Sequence, residues 1–261
     1  MSSKPIDHCG QSFPLGATLA GSGANFSAFA KHAAAVELLL FDRDDADKLP
    51  QVIELDPRVN RTYHYWHTFV PGVAAGQVYA YRAAGPFDPA RGLRFDPSKA
   101  LLDPYGKCIA RPAGRSRKAA REPGDNAATA LRSVIVGPGT YDWEGDAPLG
   151  RPFAKTIIYE MHVGGFTSHP NSGVAPARRG TYAGLIDKIP YLRDLGITAV
   201  ELMPVFAFDD HDAPPGLVNY WGYQPISFLP RTTGIAQIRT RSAPSTNSAT
   251  WSKRFIAPGS K

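Results

Sequence analysis

The chain has 261 residues, 43% hydrophobic and 20% charged, a balance that supports a buried core and excludes disorder along the whole length. No apolar run approaches 18 residues, Met1 to His8 has no apolar secretory core, and Cys9 and Cys108 are too few for a disulfide framework, so a cytoplasmic protein with no membrane partner is expected. The formal net charge of +6 sits in residues 231–261, which carry Arg231, Arg239, Arg241, Lys253, Arg254 and Lys261 without one Asp or Glu; the remainder is neutral, which argues against nucleic acid as a partner.

Residues 11–110 read as short strands between turns. The candidates are 26–30, 36–41, 51–55, 62–70 and 77–82, with a charged turn at 42–47. In Gln51 to Leu55, Val52 and Glu54 share one face and Ile53 and Leu55 the other. Turn signals every 8–12 residues with no helical period predict an antiparallel, immunoglobulin-like β-sandwich. Tyr63, Tyr65, His67 and Phe69 fall on one face of their strand and His64 and Trp66 on the other. Trp66 is thus expected in the core or at a packed face, with an exposed sugar platform as the competing reading.

Residues 111–150 read as a linker or loop, with room for a short strand at Ser133-Val134-Ile135-Val136. After Pro152 the period changes. Thr156 to Val163 is nearly continuous in apolar residues, as in a strand buried on both faces, and Gly164-Gly165 reads as a loop. Leu185, Ile186, Ile189, Leu192 and Leu195 recur at helical spacing, with Thr181 as N-cap, Gly196 past the C-terminus and Pro190 as a kink or restart. Ile197 to Val205 is a second buried strand, so 151–230 contains a β-α-β unit and a parallel sheet. Residues 231–261 show no core face and read as a basic, disordered tail.

Few residues offer chemistry on spacing alone. Glu160 and His162 lie two apart on a strand and share a side, which suits hydrogen bonding inside a barrel better than catalysis. His64 and His67, three apart on a strand, point to opposite faces and make no joint metal site. His211 among Asp209, Asp210 and Asp212 reads as a solvated loop. Gly21-Ser22-Gly23 and Gly137-Pro138-Gly139 lack the Lys-Ser/Thr of a phosphate loop. No cofactor and no metal is expected.

Three stretches carry a resemblance. The first runs from Tyr79-Ala80-Tyr81-Arg82 through Gly85-Pro86-Phe87-Asp88-Pro89 and Arg94-Phe95-Asp96-Pro97 to Leu102-Asp103-Pro104-Tyr105. The second is Ile158-Tyr159-Glu160-Met161-His162-Val163-Gly164-Gly165-Phe166-Thr167. The third joins Gly180-Thr181-Tyr182-Ala183-Gly184-Leu185 to Leu195 through Val205 and closes on Asn219-Tyr220-Trp221-Gly222-Tyr223. In this order the chain resembles the isoamylase-type glycogen debranching proteins of glycoside hydrolase family 13.

The resemblance implies a sandwich like carbohydrate-binding module family 48 over 11–110, followed by a (β/α)8 barrel beginning in 151–230. It implies an α-glucan partner, glycogen or a limit dextrin, and retaining hydrolysis of α-1,6 branches by two carboxyl groups about 5 Å apart. It also implies that Tyr223 stacks on the sugar beside the cleaved bond, with Trp221 and Tyr220 as further parts of that wall, because sugar C–H faces pack on aromatic rings. Gln224 and Phe228-Leu229-Pro230 depart from the family pattern.

A barrel of that kind needs eight strands and about 250 residues, and only two strands are expected here. The catalytic carboxylates follow later strands in the family, so no catalytic residue is assigned, and the chain reads as a truncated fragment. The alternatives are a glucan-binding module without catalysis and the product of a frameshifted gene. An incomplete barrel is expected to leave Ile157, Val163, Val200 and Leu202 without partners and 151–230 loosely packed.

Overall fold

A computed structural model describes residues 9–42, 48–137, 147, 149–209 and 213–227. Residues 43–47, 210–212 and 231–261, read above as parts of charged loops and a tail, and Pro138 and Gly139 of the second Gly-Pro-Gly turn, lie outside the described residues. The chain divides into two units, one ending at Pro138 and one starting at Gly139. Among the described residues no helix is long and apolar enough to cross a membrane.

The first unit holds eleven strands among its described residues: β1 (Gly16–Ala20), β2 (Gly23–Phe29), β3 (Ala35–Phe41), β4 (Gln51–Glu54), β5 (Arg61–Thr62), β6 (Tyr65–Pro71), β7 (Val78–Ala84), β8 (Phe87–Asp88), β9 (Leu93–Arg94), β10 (Ile109–Ala110) and β11 (Arg132–Val134), with a short helix α1 (Arg117–Arg121) between the last two strands. One sheet has the order β1-β2-β6-β5 and the other β10-β11-β7-β3-β4, and every pairing is antiparallel. The expected antiparallel sandwich is therefore present. Its core joins Phe26 and Ala24 of β2 and Trp66 of β6 to Val36, Leu38 and Leu40 of β3 and Tyr79 and Tyr81 of β7. Trp66 is 1% exposed and its indole N–H donates to the Ala30 carbonyl at 3.3 Å, so it is core and not a platform.

β3 is apolar on both faces for a reason. Leu39 and Phe41, with Ala80 of β7, turn away from the sandwich interior and are covered by Ala100, Ala127 and Ala130. The segment covering them is held by Lys99, whose ammonium donates to the carbonyls of Ala119 (2.9 Å), Gly124 (2.5 Å) and Glu122. Within the stretch read as a linker or loop at 111–150, the short strand allowed for at 133–136 is present as β11. Residues 126–135 are part of the first unit, because β11 pairs with both β10 and β7 and its Arg132 lies over the Phe41 ring at 3.8 Å. A departure is the strand expected over 62–70. A tight turn at Tyr63-His64 divides it into β5 and β6, with Thr62 opposite Tyr65.

The second unit contains β12 (Ile158–Met161), α2 (Val163–Ser168), α3 (Tyr182–Asp187), α4 (Ile189–Asp194) and β13 (Ala199–Leu202). β12 and β13 pair in parallel from Ile158 opposite Ala199 to Met161 opposite Leu202. The helix interrupts at Lys188, as Pro190 requires, since proline fits the first turn of a helix and not its interior. Thr181 caps α3 by accepting from the Gly184 N–H at 3.2 Å, and Gly196 follows α4 at φ +83°. Gly164-Gly165, expected as a loop, belongs to α2, because the His162 ring caps this helix where glycine alone would disfavour it.

Met161, Val163, Tyr182, Leu185 and Leu192 form one buried cluster, with Val200 and Leu202 packed against it. The expectation that Val163, Val200 and Leu202 lack partners is therefore corrected; the crossover helices cover them. Ile157 and Ile158, on the other side, are more than half exposed.

Candidate functional site

The second unit assembles an aromatic site where β12 ends. His162 is the first residue beyond the strand, and its Nδ1 accepts from the Gly165 N–H at 3.0 Å. A neutral ring in that bond carries its proton on Nε2. Tyr220 lies flat against the imidazole, with ring centroids 4.5 Å apart and planes inclined by 29°. Gly165 leaves room for this arrangement. A Cβ there would stand 2.5 Å from the Tyr220 hydroxyl, closer than atoms tolerate.

The loop bearing Tyr220 is shaped by its own polar residues. Asn219 Oδ1 accepts from the Gly222 N–H at 3.1 Å, and its amide donates to the Asp209 carbonyl at 3.4 Å. Gly222 takes φ +76°, and a Cβ there would meet the Phe208 ring at 3.0 Å. The Ile226 N–H donates to the Ala207 carbonyl at 2.7 Å, closing the loop behind the aromatic run. Trp221 and Tyr223 face each other at 6.2 Å, inclined by 42°.

Tyr220, Trp221 and Tyr223 are each about half exposed, at 51%, 55% and 59%. Three exposed aromatic rings within four residues make a surface suited to the apolar faces of a sugar. The structure joins Tyr220 to His162 and Trp221 to Tyr223. It records no ring contact of Tyr223 with His162. The pairing of His162 with Tyr220 was not read from sequence, because the two lie in different motifs; the signals available were Gly165 and the Asn219-to-Gly222 turn.

The other residues singled out above fall elsewhere. Glu160 and Glu201 are exposed and opposite one another on the parallel pair. His67 is buried and both ring nitrogens are engaged, Nδ1 with the Cys9 carbonyl (2.7 Å) and Nε2 with the Thr62 hydroxyl (2.9 Å). His64 sits instead among the rings of Tyr63 and Phe29. Among the described residues no three His, Cys, Asp or Glu side chains are grouped to hold a metal ion.

The antiparallel sandwich of the first unit defines its class: residues 14–106 match the family Carbohydrate-binding module 48 (Isoamylase N-terminal domain). The chain is related in sequence to glycogen debranching proteins and isoamylases. It is 42% identical over 237 residues to the glycogen operon protein GlgX homolog of Mycobacterium tuberculosis, a match covering 84% of this chain and 32% of that protein. It is 39% identical over 225 residues to isoamylase 1 of rice, covering 84% of this chain and 27% of that one, and 38% identical over 243 residues to the glycogen debranching enzyme of Serratia proteamaculans, covering 88% and 35%. The chain thus spans about a third of the length of these relatives. In fold it is similar to a pullulanase of Paenibacillus barengoltzii crystallised with maltotriose, at a TM-score of 0.68 and 20% identity over 96% of this chain and 37% of that one.

Proposed function

We propose that this chain is the leading part of a debranching-type α-1,6-glucan hydrolase, that it holds glycogen or a limit dextrin, and that it does not cleave the branch by itself. In this reading β12 and β13 are the first two strands of a (β/α)8 barrel. The catalytic end of such a barrel is the end to which its strands run. His162 follows β12 at that end, and Tyr220 stacks upon it. Tyr223 and Trp221 continue the wall on which a glucose ring would lie, with Tyr223 beside the cleaved linkage.

The observation that carries the reading is the identity of 38–42% over more than four-fifths of the chain to a GlgX homolog and a glycogen debranching enzyme. Retaining hydrolysis needs a nucleophilic carboxylate and an acid about 5 Å from it. We assign neither in this chain. Glu160 and Glu201 belong to the strands themselves, and 231–261 contains no Asp, Glu or His. The protein would act in the cytoplasm, on neutral polysaccharide, without nucleic acid, membrane or cofactor.

Electrophoresis of the purified chain through a native gel cast with glycogen, alongside a reducing-end assay on the same polysaccharide, tests the proposal. Retarded migration without reducing ends is expected. Unchanged mobility would remove the binding claim, and sugar release would remove the claim of inactivity.

A further inference from the structure

The first unit carries an aromatic and cationic cleft at the edge of the sandwich core, against which its Phe95, Ala30 and Ala83 pack. Its volume is about 410 Å³, and Phe29, Leu93, Phe95 and Leu101 give it an apolar floor. Gly85 lets Phe95 seat there, since a Cβ at Gly85 would lie 2.7 Å from that ring. Arg94 is delivered by the β8–β9 hairpin, and Lys31 and His32 by the loop after β2; all three are exposed on the cleft rim. That loop is fixed, as the Ala30 N–H donates to the His64 carbonyl at 2.9 Å. The opposing charge is Asp96, whose carboxylate is engaged by the Ser98 amide (2.9 Å) and hydroxyl (2.6 Å). Lys99 also lines the cleft, but its ammonium is committed to three carbonyls.

Phe29 extends the cleft into an aromatic ridge. Its ring meets His64 edge-on at 5.9 Å and Tyr65 at 5.4 Å, and Tyr63 lies 3.6 Å over the His64 ring. Tyr63 is 77% exposed and holds φ +58° in a two-residue turn where glycine or asparagine fits without strain. Tyr63 is held in that conformation against the His64 ring and presents its other face to solvent. Desolvation first, then the nearby charges of Lys31, Arg61 and His32, hold His64 below the ordinary histidine range.

We infer that this cleft is a binding site for a hexose phosphate, with the phosphate taken by Arg94, Lys31 and His32 and the sugar ring laid on Phe29 and the ridge. Cations select the phosphate, Arg94 through its forked donors, and aromatic rings select the C–H face of the sugar. The cleft volume lies near the lower end of small-molecule pockets, which suits one phosphorylated sugar unit better than a polymer. This site is independent of the glucan wall proposed for the second unit.

Isothermal titration of the full chain with glucose 6-phosphate, inorganic phosphate and maltose tests the inference. Glucose 6-phosphate should bind at one site, at least about tenfold more tightly than either of the others, and should weaken as salt is raised. Arg94→Gln and Phe29→Ala should each lower that affinity by about tenfold or more while circular dichroism shows the fold retained. Lys31→Gln, at an exposed position, gives a second reading if Phe29→Ala fails to fold. Equal binding of inorganic phosphate would reduce the site to an anion patch, and equal binding of maltose would make it a neutral glucan site. Either result, or no binding at all, overturns the proposal.

Discussion

The buried pair Tyr79–Asp103 offers a severe test of how the sandwich is stabilised. Asp103 is fully buried, and its Oδ2 accepts from the Tyr79 hydroxyl at 2.7 Å while Oδ1 accepts from the Tyr105 N–H at 2.8 Å. Burial raises the Asp103 carboxyl above its ordinary value, and the two donors pull it partly back. Because the folded value lies above the unfolded one, the folded state binds the proton more tightly. The contribution of this group to stability is therefore fully present below the unfolded value and is lost as pH rises through the folded one. Tyr79→Phe keeps the ring that meets Phe26 edge-on at 5.2 Å and removes only the hydroxyl. With the carboxylate ionised, a bond of this kind contributes about 1.5–3 kcal/mol; between neutral partners it contributes about 0.5–1.5 kcal/mol. The variant should thus lose about 2–3 kcal/mol at pH 7.5 and roughly 1 kcal/mol once Asp103 is protonated. Hydrogen–deuterium exchange of β3 and β7 peptides, wild type against variant at each pH, reads this difference in the first unit. An equal loss at both pH values, or none at pH 7.5, would refute the assignment of charge to this pair.

Other consequences follow from single contacts. Lys99→Met removes the ammonium donor from the Ala119, Glu122 and Gly124 carbonyls, the last keeping only the Ser98 hydroxyl, and should cost about 2–3 kcal/mol, exposing α1 to trypsin at Arg117, Lys118 and Arg121; unchanged cleavage there would contradict the role given to Lys99. Gly165→Ala should push Tyr220 off His162 and weaken maltoheptaose binding by about tenfold, and adding Tyr220→Phe should restore it by removing the clashing hydroxyl. Failure of that rescue would show that the loss arises elsewhere. Thr181→Ala removes the cap of α3 and should lower the stability of the second unit by about 1 kcal/mol in urea unfolding. Limited proteolysis should leave a resistant fragment reaching residue 135 and not ending near 110, because β11 is paired on both sides.

The strands of the sandwich were legible where alternation is strong. Ile53 of β4 and Leu55 just past its end turn inward and Val52 outward as the period-two reading requires. The helix break at Lys188 was legible from Pro190 alone. β11 was legible only as room for a short strand at 133–136; its place in the first unit was not, since three residues give no period and its partner β7 lies far back in the chain. Its burial also rests on Arg132 and Ser133, polar residues that hydropathy places outside. α2 was misread as a loop because its two glycines disfavour a helix by propensity, while the His162 cap and the packing of Val163 favour it. At the candidate site the aromatic run 220–223 was visible through resemblance. The stack of Tyr220 on His162 was not, because it depends on a hydroxyl fitting against Gly165, a contact between residues far apart in sequence.

The most direct measurement incubates the purified chain with glycogen, follows its mobility in the polysaccharide gel, and counts reducing ends over the same period. A retarded band that is lost in the combined Tyr220→Ala, Trp221→Ala, Tyr223→Ala variant, with no reducing ends above the blank, is the predicted result. Release of reducing ends by the chain alone, or migration indifferent to glycogen, would contradict it.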